Sequence, residues 1–163
     1  MCEYCGCQAL TAIAELTREH DQIVNLIGDV RAALRADDTA RMAEVAQQIT
    51  AILGPHTTVE EHGLFPALAD EFPDHIAALH DEHRQIEQAL AEGVDLDTLE
   101  MLREHILKEQ DGVFPAALAT LSTEQWQAVE DIRAQLGTSD TNVKIGSGAQ
   151  EGRQAWPADS TTR

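Results

Sequence analysis

Apolar residues recur along this chain every three or four positions, the repeat of a helix that buries one face. Between residues 8 and 35 the stripe is Ile13, Leu16, Ile23, Ile27, Val30 and Leu34, which predicts a first helix. Ala36-Asp37-Asp38-Thr39 offers a turn with N-cap side chains, and a second helix is expected from about 40 to about 70. Inside it, Pro55 of Gly54-Pro55 lacks a backbone donor and crowds the preceding turn, so a kink or a split is expected there. Glu71-Phe72-Pro73-Asp74 reads as the next turn. Asp74 is expected to cap a third helix over 75–92, built on Ile76, Leu79, Ile86 and Leu90. Asp95 opens a fourth helix to about 121, with Leu99, Leu102, Ile106 and Val113 on its apolar face. Ser122-Thr123-Glu124-Gln125 has the pattern of a capping box. It starts a short fifth helix that carries Trp126, Val129, Ile132 and Leu136 on one side and stops at Gly137.

Two of these stripes are interrupted by the same polar pattern. His56-Thr57-Thr58-Val59-Glu60 is followed by Leu64-Phe65-Pro66, and His105-Ile106-Leu107-Lys108-Glu109 by Val113-Phe114-Pro115. Residues four apart share a helix face, so each copy aims an imidazole and a carboxylate together, toward the side that should be buried. A buried Glu without a partner is costly, by several kcal/mol. His20 sits in the first helix's stripe, with Glu19 and Asp21 expected to flank it outward. The third helix carries His80 and His83 three apart. His62 falls off the stripe and reads as a surface residue or one behind the inward groups; His75 lies at a helix start and reads as exposed.

A weak internal repeat joins these pieces. Arg18-Glu19-His20-Asp21-Gln22-Ile23 resembles Asp81-Glu82-His83-Arg84-Gln85-Ile86, and each precedes a helix bearing His-x-x-x-Glu and Phe-Pro. The chain therefore reads as a helix pair used twice. The expected fold is all-α: an antiparallel up-and-down four-helix bundle with pseudo-twofold internal symmetry and a short extra C-terminal helix. Residues 1–9 form a Cys-rich N-terminal segment and 10–137 the bundle with its fifth helix. Residues 138–163, rich in Gly, Ser, Thr, Asp and Gln, read as a disordered tail in which Trp156-Pro157 is a minor anchor.

Composition narrows the chemistry. The formal charge is −18, from 11 basic and 29 acidic residues, and such a surface repels phosphate backbones, which argues against nucleic acid. No run approaches the ~18 apolar residues of a membrane span. The N-terminus lacks the basic and apolar regions of a secretory signal, so the expected location is the cytoplasm. Cys2, Cys5 and Cys7 are an odd number in one tract and make no disulfide framework. They read either as a tail of exposed thiols or as a redox or soft-metal tract. No nucleophile triad and no nucleotide loop is present, so hydrolytic or phosphoryl-transfer chemistry has no support.

The inward groups are His20, His56, Glu60, His83, His105 and Glu109, with His80 beside them. Two half-sites, each with two histidines and one Glu, suit two metal ions bridged by carboxylates. Imidazole with carboxylate fits iron, manganese or zinc better than calcium or magnesium. No Glu-x-x-His occurs, unlike the ferritin-like pattern, and no His-Glu-x-x-His of a zincin.

In these motifs, Glu19-His20, H-T-T-V-E at 56–60, Glu82-His83 and H-I-L-K-E at 105–109, the chain resembles the hemerythrin-like, or HHE cation-binding, family of bacterial type over roughly residues 10–121. The resemblance implies a non-haem centre of two iron ions, oxo- or hydroxo-bridged. His20, His56, His83 and His105 would be ligands, and Glu60 and Glu109 bridges. Oxygen-carrying members use two third-helix histidines four apart and a His-x-x-x-x-Asp. This chain has His80 and His83 three apart and Glu109 instead, so His80 is either a fifth histidine ligand or a residue behind the ligands.

The resemblance further implies a protein that binds or reacts with dioxygen, nitric oxide or hydrogen peroxide, in oxidative or nitrosative stress defence. Its partners would be those small molecules, with a redox partner for any turnover. Iron storage or cluster repair, and a redox-silent zinc bundle, are the alternative readings. Whether the protein is an enzyme is left open.

Overall fold

The computed structural model describes the backbone of residues 5–137, and the side chains from Ala9 onward. Every element among them is helical: α1 (Cys5–Arg35), α2 (Thr39–Val59), α3 (Phe65–Leu68), α4 (Pro73–Glu92), α5 (Leu96–Lys108), α6 (Phe114–Thr120) and α7 (Thr123–Leu136). A π-helical turn over Glu60–Leu64 joins α2 to α3, and a second over Glu109–Val113 joins α5 to α6. Thus α1, α2–α3, α4 and α5–α6 are the four long rods expected, and α7 is the added fifth. Cys2 and the segment 138–163, including Trp156-Pro157, lie outside the described residues; Cys5 and Cys7 fall in α1, their side chains undescribed. Among the described residues no helix is long and apolar enough to cross a membrane.

Local chemistry sets most of the boundaries. Asp38 accepts from the Arg41 backbone N–H and Asp95 from that of Thr98, each satisfying an orphan donor of a first turn. The capping box at α7 forms in both directions between Ser122 and Gln125, and Gly137 ends that helix at φ 77°. Two expectations are corrected, and one of two alternatives is decided. α1 begins at Cys5 rather than near residue 8. Asp74 is not a cap: α4 starts at Pro73, whose missing N–H suits a first position, and Asp74 sits in the first turn, where its charge meets the positive helix end. Gly54-Pro55 does not split α2, which is continuous to Val59; the Gly54 carbonyl accepts from the Thr57 and Thr58 hydroxyls at 3.2 and 2.9 Å.

The interruption comes later, in the two π turns, which the apolar spacing did not reveal. Each begins at the Glu of His-x-x-x-Glu, and the Phe N–H bonds back to that Glu's carbonyl, Phe65 to Glu60 and Phe114 to Glu109. Pro66 and Pro115 follow directly. A proline cannot donate to the carbonyl four residues back and its ring crowds that group, so a wider turn just before it relieves the clash.

The apolar interior is two separate clusters. One gathers Ile23, Ile27, Val30, Val45, Ile49, Leu53, Ile86, Leu99, Leu102 and Ile106. The other gathers Leu16, Leu64, Phe65, Leu68, Ile76, Leu79, Phe114, Trp126 and Val129. Between them lies a layer of buried histidines and carboxylates.

Candidate metal centre

Six polar side chains meet in that layer. His20, His56, Glu60, His83, His105 and Glu109 are each at most 2% exposed. His20 comes from α1, His56 from the end of α2, His83 from α4 and His105 from the end of α5. The two carboxylates open the two π turns, so all four rods contribute.

Glu109 faces both ways. Its Oε2 lies 3.0 Å from His20 Nε2 and 3.9 Å from His56 Nε2. Its Oε1 lies 2.8 Å from His105 Nε2 and 3.3 Å from His83 Nε2. Glu60 Oε2 lies 3.4 Å from His56 Nε2 and 3.5 Å from His83 Nε2. Ligand-type atoms of His20, His56, Glu60 and Glu109 fall within 4.8 Å of one another, and so do those of His83, His105 and Glu109. Two imidazole pairs thus share one carboxylate, and a second carboxylate stands between them.

The hydrogen bonds are incomplete where the atoms converge. Both oxygens of Glu60, His56 Nε2 and His105 Nε2 are buried without a hydrogen-bond partner. His105 Nε2 is close to Glu109 yet not aligned as a donor. Buried polar atoms are normally satisfied, so lone pairs turned toward one space without donors fit a cation.

A second ring of carboxylates holds the histidines from behind. His56 Nδ1 donates to Glu19 Oε2 at 2.8 Å, His105 Nδ1 to Glu82 Oε2 at 2.9 Å, and His83 Nδ1 to Glu61 Oε1 at 2.8 Å. Such bonds fix the tautomer and leave Nε2 free to face a metal. Glu19 is therefore not outward, as adjacency to His20 suggested: it is buried and also accepts from the Arg133 guanidinium of α7. Glu82 accepts from Lys108. The recurrence of Glu19 and Glu82 directly before His20 and His83 is the signal the sequence holds for this role.

His20 is the exception, its buried Nδ1 having no partner. The position matching Glu61 in the other repeat is Gln110. Phe rings pack across the repeats instead: Phe114 stacks on His20 at 5.3 Å and Phe65 on His83 at 5.4 Å.

His80 lies outside the cluster. Its side chain is 34% exposed, Nδ1 is 3.4 Å from Glu61 Oε1, and its ring meets Phe65 edge-on. Spacing of three from His83 points it toward the rim. His62 and His75 are exposed, as expected, and His62 Nδ1 donates to the Thr58 carbonyl.

Charge attraction dominates among these groups. Burial by itself would lower the pKa of His56, yet the carboxylates of Glu60, Glu109 and Glu19 raise it to about 10. Burial is likewise overcome at His83 by Glu109 and Glu60, again to about 10, and His105 is raised by Glu109 and Glu82. Burial would raise Glu109, but its four histidines hold it well below the usual carboxylate range.

A helical bundle with this buried His/Glu cluster is a metal-binding helical protein. The chain belongs to the hemerythrin family: the family model described as the hemerythrin HHE cation binding domain matches residues 11–117. Searches of curated proteins and of solved structures gave no match.

Proposed function

We propose that this chain is a cytoplasmic, non-haem di-iron protein that binds or reacts with dioxygen, nitric oxide or hydrogen peroxide at the buried centre. The observation that carries the reading is the sharing of Glu109, with Glu60 beside it, between two imidazole pairs whose converging atoms lack hydrogen-bond donors. His20 and His56 would hold one ion, His83 and His105 the other, with Glu60 and Glu109 between them. His80 would stand behind this set; its contact with Glu61 supports that reading. Bound iron would supply redox chemistry and an exchangeable position for a small ligand. The chain's own part is to keep the imidazoles in one tautomer through Glu19, Glu61 and Glu82. Phe65 and Phe114 close the cluster on its apolar side.

The test is metal per chain together with the visible spectrum of anaerobically reduced protein, before and after oxygen. Two irons with a reversible new charge-transfer band mean reversible ligand binding. Two irons with irreversible oxidation mean turnover, to be followed with peroxide and nitric oxide. Zinc alone, or no metal, sinks the proposal. His83→Ala is expected to lose iron and His80→Ala to keep both ions; the reverse order would exchange their roles.

A further inference from the structure

α7 shows what a groove beside this bundle can hold. It packs on α1, α2 and the first π turn, with Trp126 and Val129 buried and Arg133 reaching Glu15 and Glu19. A Cβ on Gly63 would come within 3.0 Å of the Val129 side chain and 3.3 Å of its Cα, so the close approach needs a glycine there.

The internal repeat builds the same groove on the other half. Ile13, Leu16, Glu19 and Gly63 correspond to Ile76, Leu79, Glu82 and Gly112. No described helix covers it: a Cβ on Gly112 would meet nothing within 4 Å. The result is a cavity of about 630 Å³ walled by Leu68, Phe72, Ile76, Leu79, Val113 and Ala116. Lys108 already meets Glu82 at the place where α7 brings Arg133 to Glu19, so an occupant need supply only apolar surface.

We propose that the C-terminal segment fills this second groove, seating Trp156-Pro157 in it. The chain has two tryptophans; Trp126 anchors α7 in the first groove, and Trp156 lies within Ala155-Trp156-Pro157-Ala158. Extended chain spans about 3.3 Å per residue, so the stretch from Gly137 to Trp156 reaches roughly 60 Å. That is ample to pass around helices packed about 8–10 Å apart. Charge selects this occupant over a second copy. Residues 138–163 balance Lys144, Arg153 and Arg163 against Asp140, Glu151 and Asp159, so the −18 rests wholly on residues 1–137 and two such bodies repel. A tether supplies an effective concentration in the millimolar range, so one indole anchor suffices.

The test reads Trp156 in the full-length protein, as the difference between wild type and Trp156→Phe in acrylamide quenching and emission wavelength. Trp156 is expected to be protected independently of protein concentration. Blocking the groove with Ala116→Arg, or with Ala78→Arg at an exposed rim position, should raise its quenching by at least about twofold, as for release of a tethered contact. Free quenching of Trp156 in the wild type overturns the proposal. So does protection that neither variant changes, which places it elsewhere, or protection that fades on dilution, which makes a second copy the occupant.

Discussion

Glu19 and Glu82 hold matching places in the two halves, one behind His56 and one behind His105, but their surroundings differ. Glu19 is 5% exposed and paired with Arg133, itself 8% exposed, beneath α7. Glu82 is 22% exposed and paired with Lys108, which is 53% exposed. The groups facing the centre nearly repeat, whereas the groups behind them do not. One half is sealed by a fifth helix; among the described residues nothing covers Glu61, His80, Glu82 and Lys108 completely in the other. A repeat can thus keep its inward layer of histidines and carboxylates while each copy of its support is tied either to the core or to solvent.

The largest effect should come from the group that belongs to both halves. Glu109→Ala leaves four histidines without their shared counter-charge and, if the centre is the proposed pair of ions, is expected to abolish metal binding, by metal analysis. A variant still holding two ions would show that the halves do not depend on one carboxylate.

Next come the carboxylates behind the histidines. Glu19→Ala leaves the buried Arg133 guanidinium with Glu15 alone and takes the acceptor from His56, and should cost about 3 kcal/mol, the low end for breaking a buried pair. Glu82→Ala, at a half-wet site, should cost about 1 kcal/mol or less. Chemical denaturation of the two metal-free variants measures the gap, and equal losses would erase the distinction between a sealed and an open half.

The glycines give a smaller contrast of the same kind. Gly63→Ala forces a methyl against Val129 and should destabilise by about 1–3 kcal/mol. Gly112→Ala meets no described atom within 4 Å and should change stability by no more than about 1 kcal/mol. Thermal melts of the pair decide it.

The pH response is the mildest probe. In the metal-free chain His56 and His83 titrate near 10 instead of 6.5, so their stabilising share is complete below about 6.5 and is lost as pH climbs through about 10. Glu109 and Glu19 are held below 4.5, so their share is present above that value and fades as pH falls through their lowered pKa values. The melting temperature of chelator-treated protein should therefore decline from pH 6.5 to 10. Metal replaces those protons, so the gap between loaded and metal-free melting temperatures should widen over the same range. A gap that narrows with alkalinity would contradict competition between protons and metal.

Much of this was readable from the chain because it is local. Stripes such as Ile76, Leu79, Ile86 and Leu90, the Asp38 and Asp95 caps and the Ser122 capping box depend on residues a few positions apart. The six inward groups stood out as polar residues in apolar stripes. The misses were of two kinds. Glu19 finds its partners 37 and 114 residues away, at His56 and Arg133, a distance that periodicity does not register. The π turns were hidden because one extra residue in a turn looks like ordinary scatter between spacings of three and four. The recurring Phe-Pro after Glu60 and Glu109 was their trace. The seat of α7 depended on Gly63, whose role is visible only once Val129 lies against it.

Those extra residues also work as a phase setting. Each rod enters its π turn with one angular register and leaves with another, since a single residue turns an α-helix through about 100°. Upstream of the turn the rod presents a histidine and a carboxylate to the centre; downstream it presents Phe65 or Phe114 to a histidine of the opposite repeat. Deleting one residue from 61–63 or 110–112 would leave an uninterrupted rod and every ligand in the sequence. It would also rotate the downstream end of that rod out of step, parting its aromatic ring from the imidazole it covers.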